Sequence, residues 1–311
     1  MPPEARLDWR ETLIVSAALR TDLLTAFAKR SNLAGAAQRR GLDPRAVEVV
    51  ARALAAYGYL ALFGDSAVLT TRGQALLAPN GELDPAADIL LGERAIRNHL
   101  RLEEILRGGT PRDDVSGGDS EARSGFMRAM RHIGATRAPK TAEALAPETD
   151  GARLLDVGGA PGTYGSAFAA AGWDVTVFDQ PEMLDVVAEN LQERRLATIG
   201  GDVTQDFPAG PWDAVYLGNV LHLFDLETAF GIVARAASAL VPEGRLAIQE
   251  MMPGHAPQAE SFGVMMLVST EAGSVYDEQT YRDWMIGAGV EPESLTSLDD
   301  DEHQLLIGRN S

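Results

Sequence analysis

The 311-residue chain contains no cysteine, which excludes disulfides, a thiolate-bound zinc site and a cysteine nucleophile. No run approaches 18 apolar residues, so no membrane-spanning helix is expected. The N-terminal MPPEARLDW lacks a basic segment followed by an apolar stretch, so no signal peptide is expected and the cytoplasm is the expected location. No internal repeat is visible. Positive charge is scarce in the C-terminal half. Residues 148–311 carry 7 Lys+Arg against 27 Asp+Glu, which gives −20 of the chain's −18, the remainder contributing +3 over 1–80 and −1 over 81–147. A segment this acidic repels nucleic-acid backbones and anionic lipid, and accepts neutral or cationic ligands. What remains is ordinary globular composition, 45% hydrophobic and 23% charged, with enough apolar material for about two domains.

The N-terminal part reads as short helices. Trp9, Leu13, Ile14 and Ala17 recur at helical spacing over 9–20. Thr21 is placed to cap a second short helix carrying Leu23, Leu24 and Phe27. Residues 32–40 stop at Gly41. Asp43-Pro44 then supplies an N-cap and a first-turn proline for a helix presenting Val47, Val50 and Leu54. YLALF and AVLT, around Gly64-Asp65-Ser66, form a hairpin signal. Helix, turn, helix, hairpin is a winged-helix layout. Beyond it, 86–106 is expected as one long helix, 107–125 as a loop, and 126–145 as a helix kinked near Gly134 and Pro139.

From residue 152 strands and helices alternate: ARLLDV, DVTVF, RLATI, WDAVYLGNV and GRLAIQE, with helices over 163–171, PEMLDVVAENL, 226–240 and 278–288, and closing strands near 291–297 and 303–308. This alternation predicts an α/β fold with a doubly wound, mostly parallel sheet, whose ligands sit at the carboxyl ends of the strands. The expected domains are 1–85, a winged-helix domain; 86–147, a helical linker with pocket helices; and 148–311, the sheet domain.

LLDVGGAPGTYG (154–165) ends a strand and opens a helix through Gly158, Gly159 and Gly162. Such a turn serves either a dinucleotide pyrophosphate or S-adenosylmethionine. Three features favour S-adenosylmethionine. Ala160 stands where the second glycine of G-x-G-x-x-G would be. Asp156, at the strand end, suits an ammonium group and opposes a pyrophosphate. The domain is strongly acidic. Asp179, ending the second strand, can accept from ribose hydroxyls with either cofactor, and Asp202, after the third, suits an adenine amine, although it can equally cap a turn.

With these residues the chain resembles the small-molecule O-methyltransferases that act on caffeate and flavonoids in plants and on natural products in bacteria. The resemblance covers nearly the whole chain. It runs from ALRTDLLTAFAKRSNLAGAAQRRGLDPRAVEVVARALAAYGYLAL through FMRAM to LLDVGGAPG, VTVFDQPEML, GDVTQDFP, WDAVYLGNVLHLF and VPEGRLAIQEMMPG. It implies a winged-helix dimerisation domain and a homodimer through it. It implies S-adenosylmethionine as cofactor, held by Asp156, Gly158, Gly159, Asp179, Gln180, Asp202, Val203 and Asn219. It implies a general base, His222, supported by Glu250. Two acid positions of the family are Leu223 and Val275 here.

His222 lies just beyond an apolar strand, where an imidazole can take a phenolic proton; a bonded core histidine is the alternative. Phe126, Met127, Met130, Met251 and Met266 are the expected substrate-binding wall, soft enough for a flat apolar acceptor, though any one methionine also suits a core. No Asp/Glu/His grouping has metal-ligand spacing, so no metal is expected. The expected partner is a small-molecule acceptor, with no nucleic acid and no membrane. Two alternatives are a cofactor-binding relative with a non-methylating reaction and a winged-helix DNA-binding regulator. The helix from 44 offers only Arg45 and Arg52 for the latter.

Overall fold

The computed structural model describes residues 8–78, 83–111, 118–298 and 302–311; the expectation for the N-terminal seven residues and part of the expected 107–125 loop lie outside them. The chain divides into two compact units, Pro2–Arg97 and Asn98–Ser311. The division falls at 97/98, so most of the segment expected as a separate linker travels with the sheet.

The first unit runs α1 (Trp9–Arg20), a 3-10 turn (Leu24–Phe27), β1 (Ser31–Asn32), α2 (Leu33–Arg40), α3 (Pro44–Ala56), β2 (Leu60–Phe63), β3 (Ser66–Leu69), α4 (Thr71–Ala75) and most of α5 (Pro85–His99). Asp43 accepts from the Ala46 N–H at 2.7 Å, a cap worth about 1 kcal/mol, and Gly41 closes α2 in the left-handed region. The hairpin turns through Gly64-Asp65, where Gly64 takes the positive φ that a two-residue loop demands. Thr21 ends α1 instead of capping a second helix: its hydroxyl donates to the Ala17 carbonyl at 2.7 Å. Leu23, Leu24 and Phe27 fill this unit's own core, while Trp9 (55% exposed), Val49, Leu62 and Phe63 are exposed. Arg52 on α3 is held by Glu48 at 2.7 Å.

The second unit begins with α6 (Leu102–Leu106), α7 (Ser120–Gly134) and α8 (Ala138–Ala144). The expected helix over 86–106 breaks at Leu100-Arg101, where the buried Asn98 amide donates to Ser269 Oγ at 3.1 Å, a tertiary anchor that helix propensity does not encode. The expected helix over 126–145 is two: α7 starts earlier, capped by Asp119, and Pro139 opens α8 in its first turn.

Next come β4 (Arg153–Val157), α9 (Thr163–Ala170), β5 (Asp174–Asp179), α10 (Pro181–Glu193), β6 (Ala197–Gly200), β7 (Trp212–Gly218), α11 (Leu226–Ser238), β8 (Leu240–Glu250), α12 (Ala259–Ser269), α13 (Glu278–Gly287), β9 (Val290–Leu298) and β10 (His303–Asn310). The sheet order is β6-β5-β4-β7-β8-β10-β9, parallel through β8 and antiparallel in the last two strands. The chain winds outward from β4 to β6, then crosses back to β7 on the other side of β4, so the switch point lies between β4 and β7. Both faces are covered, which is why the inner strands read as continuous apolar runs. Leu154, Val177, Tyr216 and Leu305 pack under α7–α10; Leu155, Leu217, Ile248 and Leu306 pack under α11 and α13. Strand β8 runs through Pro242–Gly244, with Glu243 in the left-handed region. Helix α12, apolar after its first turn and without an amphipathic period, was not foreseen.

Candidate active site

Four strand ends converge at the carboxyl edge of the sheet. After β4 the chain turns through Gly158 at φ +66°, and a Cβ there would lie 2.5 Å from Val220 Cγ2. At Gly159 a Cβ would lie 2.5 Å from the Asp156 carboxylate carbon. These two positions admit only glycine, which leaves the loop backbone open above and packed below.

Asp156 is 1% exposed, tucked beneath this loop, and one of its oxygens has no hydrogen-bond partner. The carboxylate expected to suit an ammonium group thus lies under the loop and not in the open cleft. Asp179 ties β5 to the same loop, accepting from the Gln180 N–H at 2.8 Å and the Ala160 N–H at 3.1 Å. Burial, then the neighbouring Asp179 carboxylate, pushes Asp156 up to about 8, and burial pushes Asp179 up to about 6.

Asp202 is committed to a turn. It accepts from the Thr204 N–H and hydroxyl, both at 2.8 Å, and from the Gln205 amide at 2.9 Å, bonds that hold its pKa down. The capping role is the one its contacts display; a carboxylate's four lone-pair sites leave one for another donor. Gln180 is exposed and Val203 is half-buried against the core. Asn219 takes a left-handed φ of +58° and donates its backbone N–H to the Gln249 carbonyl at 2.9 Å.

His222 sits in a short 3-10 turn, Leu221–Leu223, directly after β7. Its Nδ1 lies 2.6 Å from Glu250 Oε2, at the end of β8. Glu250 Oε1 accepts from the Leu221 N–H at 2.9 Å and the His222 N–H at 3.4 Å. Both side chains are buried, His222 at 7% exposure. A carboxylate accepts, so Nδ1 carries the proton and Nε2 keeps its lone pair. This is a base-and-orienter pair in geometry.

Helix α12 places Phe262 edge-on to the imidazole, ring centres 4.9 Å apart, a contact invisible in sequence because the helix has no amphipathic period to mark which face matters. The turn is further pinned by Tyr276, whose hydroxyl donates to the Phe224 carbonyl at 2.6 Å, and by the Ser274 N–H on the His222 carbonyl. Val275 packs against Gly263 on α12, so an apolar contact occupies the family's second acid position.

Of the expected acceptor wall, Met127 lies in the core beneath α7, packed with Phe168 and Tyr216; Phe126 is partly buried against that core and Met130 is half-buried. Met251 joins Ala256, Ala259 and Phe262 in a small cluster under α12, and Met266 is buried in that helix. A Gln249 network was also missed: its amide donates to the Tyr164 hydroxyl at 2.9 Å and its oxygen accepts from Thr141 at 2.7 Å. An inward polar residue one position before Glu250 was the available signal.

The chain shares its fold with an O-methyltransferase family protein from Burkholderia thailandensis, with a TM-score of 0.83 at 22% identity over 97% of this chain and 95% of the other. In sequence it is 30% identical over 134 residues to a 3-amino-4-hydroxybenzoate 4-O-methyltransferase from Streptomyces cremeus, covering 41% of this chain and 36% of that protein. It is 29% identical over 211 residues to a mitomycin biosynthesis 6-O-methyltransferase from Streptomyces lavendulae, covering 61% and 60%. The matched stretch thus spans about a third to three fifths of these curated relatives. The O-methyltransferase domain model matches residues 109–291, more than half of the chain, including the glycine loop, Asp179, His222 and Glu250. The chain belongs to the O-methyltransferase domain family.

Proposed function

We propose that the protein moves a methyl group from S-adenosylmethionine to a hydroxyl of a small aromatic or polyketide-like acceptor. The observation that carries this reading is the buried His222–Glu250 pair at the sheet edge that also carries the glycine loop and Asp179. The fit to the cofactor rests on this chain's own groups: an open glycine backbone, a carboxylate at the β5 end for ribose hydroxyls, and a buried, unpartnered Asp156 oxygen beneath the loop. The bound cofactor supplies a methyl already activated on a sulfonium. His222 Nε2 takes the acceptor's hydroxyl proton as that oxygen attacks, and Glu250 holds the resulting imidazolium. Phe262 and the apolar residues around it exclude water.

Leu223 and Val275, apolar at two acid positions of the family, favour one second reading, a non-methylating reaction with the same cofactor. Mass spectrometry on a panel of phenols with S-adenosylmethionine separates the two: a gain of about 14 Da, one CH₂ net, supports methylation. Acceptors altered without that gain would overturn it.

The two raised carboxylates make cofactor binding pH-dependent. A folded-state pKa above the unfolded value means that their contribution to stability is fully present below about pH 4 and is lost as pH rises through about 6 and about 8. A cationic ligand favours the ionised forms. Affinity for S-adenosylmethionine is therefore expected to rise between pH 5 and 8, as read by calorimetry; a flat profile would contradict the assignment.

We also read the protein as a cytoplasmic homodimer joined through the N-terminal unit. The support is the exposed Trp9, Val49, Leu62 and Phe63, a set of large apolar side chains that a monomer leaves in water. Light scattering at micromolar concentration is expected to give twice the 33.2 kDa chain mass. A monomer would sink this part of the reading.

A further inference from the structure

We propose that Gln249 is a positioning residue that sets the glycine loop and the His222–Glu250 pair in register for in-line methyl transfer. This rests on the functional reading above. Strand β8 ends in Gln249 and Glu250, both buried, at 0% and 1% exposure. Successive residues of a strand face opposite sides of the sheet. Glu250 turns to one side, where it holds His222 Nδ1 and the Leu221 N–H. Gln249 turns to the other, the side of its strand partner Leu305, where its side chain meets α8 and α9.

The Gln249 amide donates to the Tyr164 hydroxyl at 2.9 Å and accepts from the Thr141 hydroxyl at 2.7 Å, so both ends of this buried group are bonded. Tyr164 is the second residue of α9, the helix that Gly162 opens at the end of the glycine loop. Its ring is seated against the end of α7, where a Cβ on Gly134 would lie 3.2 Å from Cε2, and stands 5.5 Å from the Tyr216 ring. The Gln249 carbonyl accepts from the N–H of Asn219, on the bend that leads from β7 to His222, at 2.9 Å. Two consecutive residues thus fasten the glycine-loop helix and the His222 turn to one strand end. An apolar side chain would fill this place with no polar group to satisfy, whereas a fully bonded amide admits one arrangement. Methyl transfer needs that arrangement: the acceptor oxygen at His222 must lie in line with the sulfonium methyl, and a misplacement of about 1 Å can cost about 100-fold. The loop's tie to β5 through Asp179 is separate, so loss of the Gln249 amide is expected to shift the cofactor against His222 without releasing it.

The test compares wild type with Gln249→Leu and with a triple variant, Gln249→Leu with Thr141→Val and Tyr164→Phe, in which all three side chains are apolar. The acceptor is the phenol that wild type methylates fastest from a panel of catechols and naphthols. Gln249→Leu is expected to slow single-turnover transfer about 10- to 100-fold at saturating S-adenosylmethionine and acceptor. Its affinity for S-adenosylhomocysteine, by calorimetry, is expected to stay within about twofold of wild type. The loss is expected to be the same at every pH from 6 to 9, because the base is intact. The triple variant is expected to regain the thermal midpoint that Gln249→Leu loses and to remain slow. If Gln249→Leu does not fold, the triple variant decides, and if neither folds, Tyr164→Phe alone does. Full rate in a folded variant, a rate loss matched by lost cofactor affinity, or a loss that shrinks as pH rises overturns the proposal. Wild type that methylates no phenol of the panel overturns the functional reading first, and the proposal with it.

Discussion

Replacing His222 with alanine is expected to slow methyl transfer by about 10²–10⁴-fold and to leave S-adenosylmethionine affinity nearly unchanged. The imidazole contacts Glu250 and Phe262, not Asp179 or the glycine loop. The family's second acid position is Val275, so among the described residues Glu250 is the carboxylate that would hold the imidazolium, which argues for the lower part of that range. Glu250 is nevertheless well built for the task. It is buried, and two backbone N–H groups fix one of its oxygens while the other meets Nδ1 at 2.6 Å. An acceptor already ionised needs no base, so for an acidic phenol the loss should shrink as pH rises. Single-turnover transfer by wild type and His222→Ala across pH 6–9 reads this out. Full activity in the variant across the range would make His222 a structural histidine.

Asp179→Ala is expected to weaken S-adenosylmethionine and S-adenosylhomocysteine binding by about 1.5–3 kcal/mol, roughly 10- to 150-fold, the scale of hydrogen bonds to a charged group. The substitution would remove the proposed ribose partner and also free the Ala160 and Gln180 N–H groups that donate to the carboxylate, so the glycine loop loses its tie to β5. Asp179→Asn keeps an acceptor oxygen and loses the charge, and should fall between the two. NAD should bind neither wild type nor variant. Tight NAD binding with no response to S-adenosylmethionine, measured by calorimetry, would reverse the cofactor assignment.

How much of this was legible beforehand depended on whether the signal was local. The strand runs of the sheet are continuous apolar stretches ended by glycine, proline or aspartate, and such runs report burial on both faces without reference to the rest of the chain. The positions of Asp179, His222 and Glu250 followed, because each directly ends or follows one of those runs. The glycine loop was legible for a steric reason: at Gly158 and Gly159 any side chain would collide with Val220 or Asp156.

The sequence by itself therefore determined the doubly wound sheet, the strand-end placement of the candidate residues and the absence of thiol chemistry. Only the tertiary structure decided what those residues touch. Asp156 went beneath the loop, Asp202 into a turn, and Met127 into the core, because each had a nearby packing or hydrogen-bond partner whose position pattern alone does not specify. The helix break at Leu100-Arg101 was hidden for the same reason, and the kink expected near Gly134 is a complete break. Asn98 is anchored to Ser269, and at Gly134 a Cβ would lie 3.2 Å from the Tyr164 ring, so both features answer to segments far along the chain. Local propensity speaks for a few residues at a time, whereas a buried hydrogen bond or a close helix contact is settled by whatever folds against it.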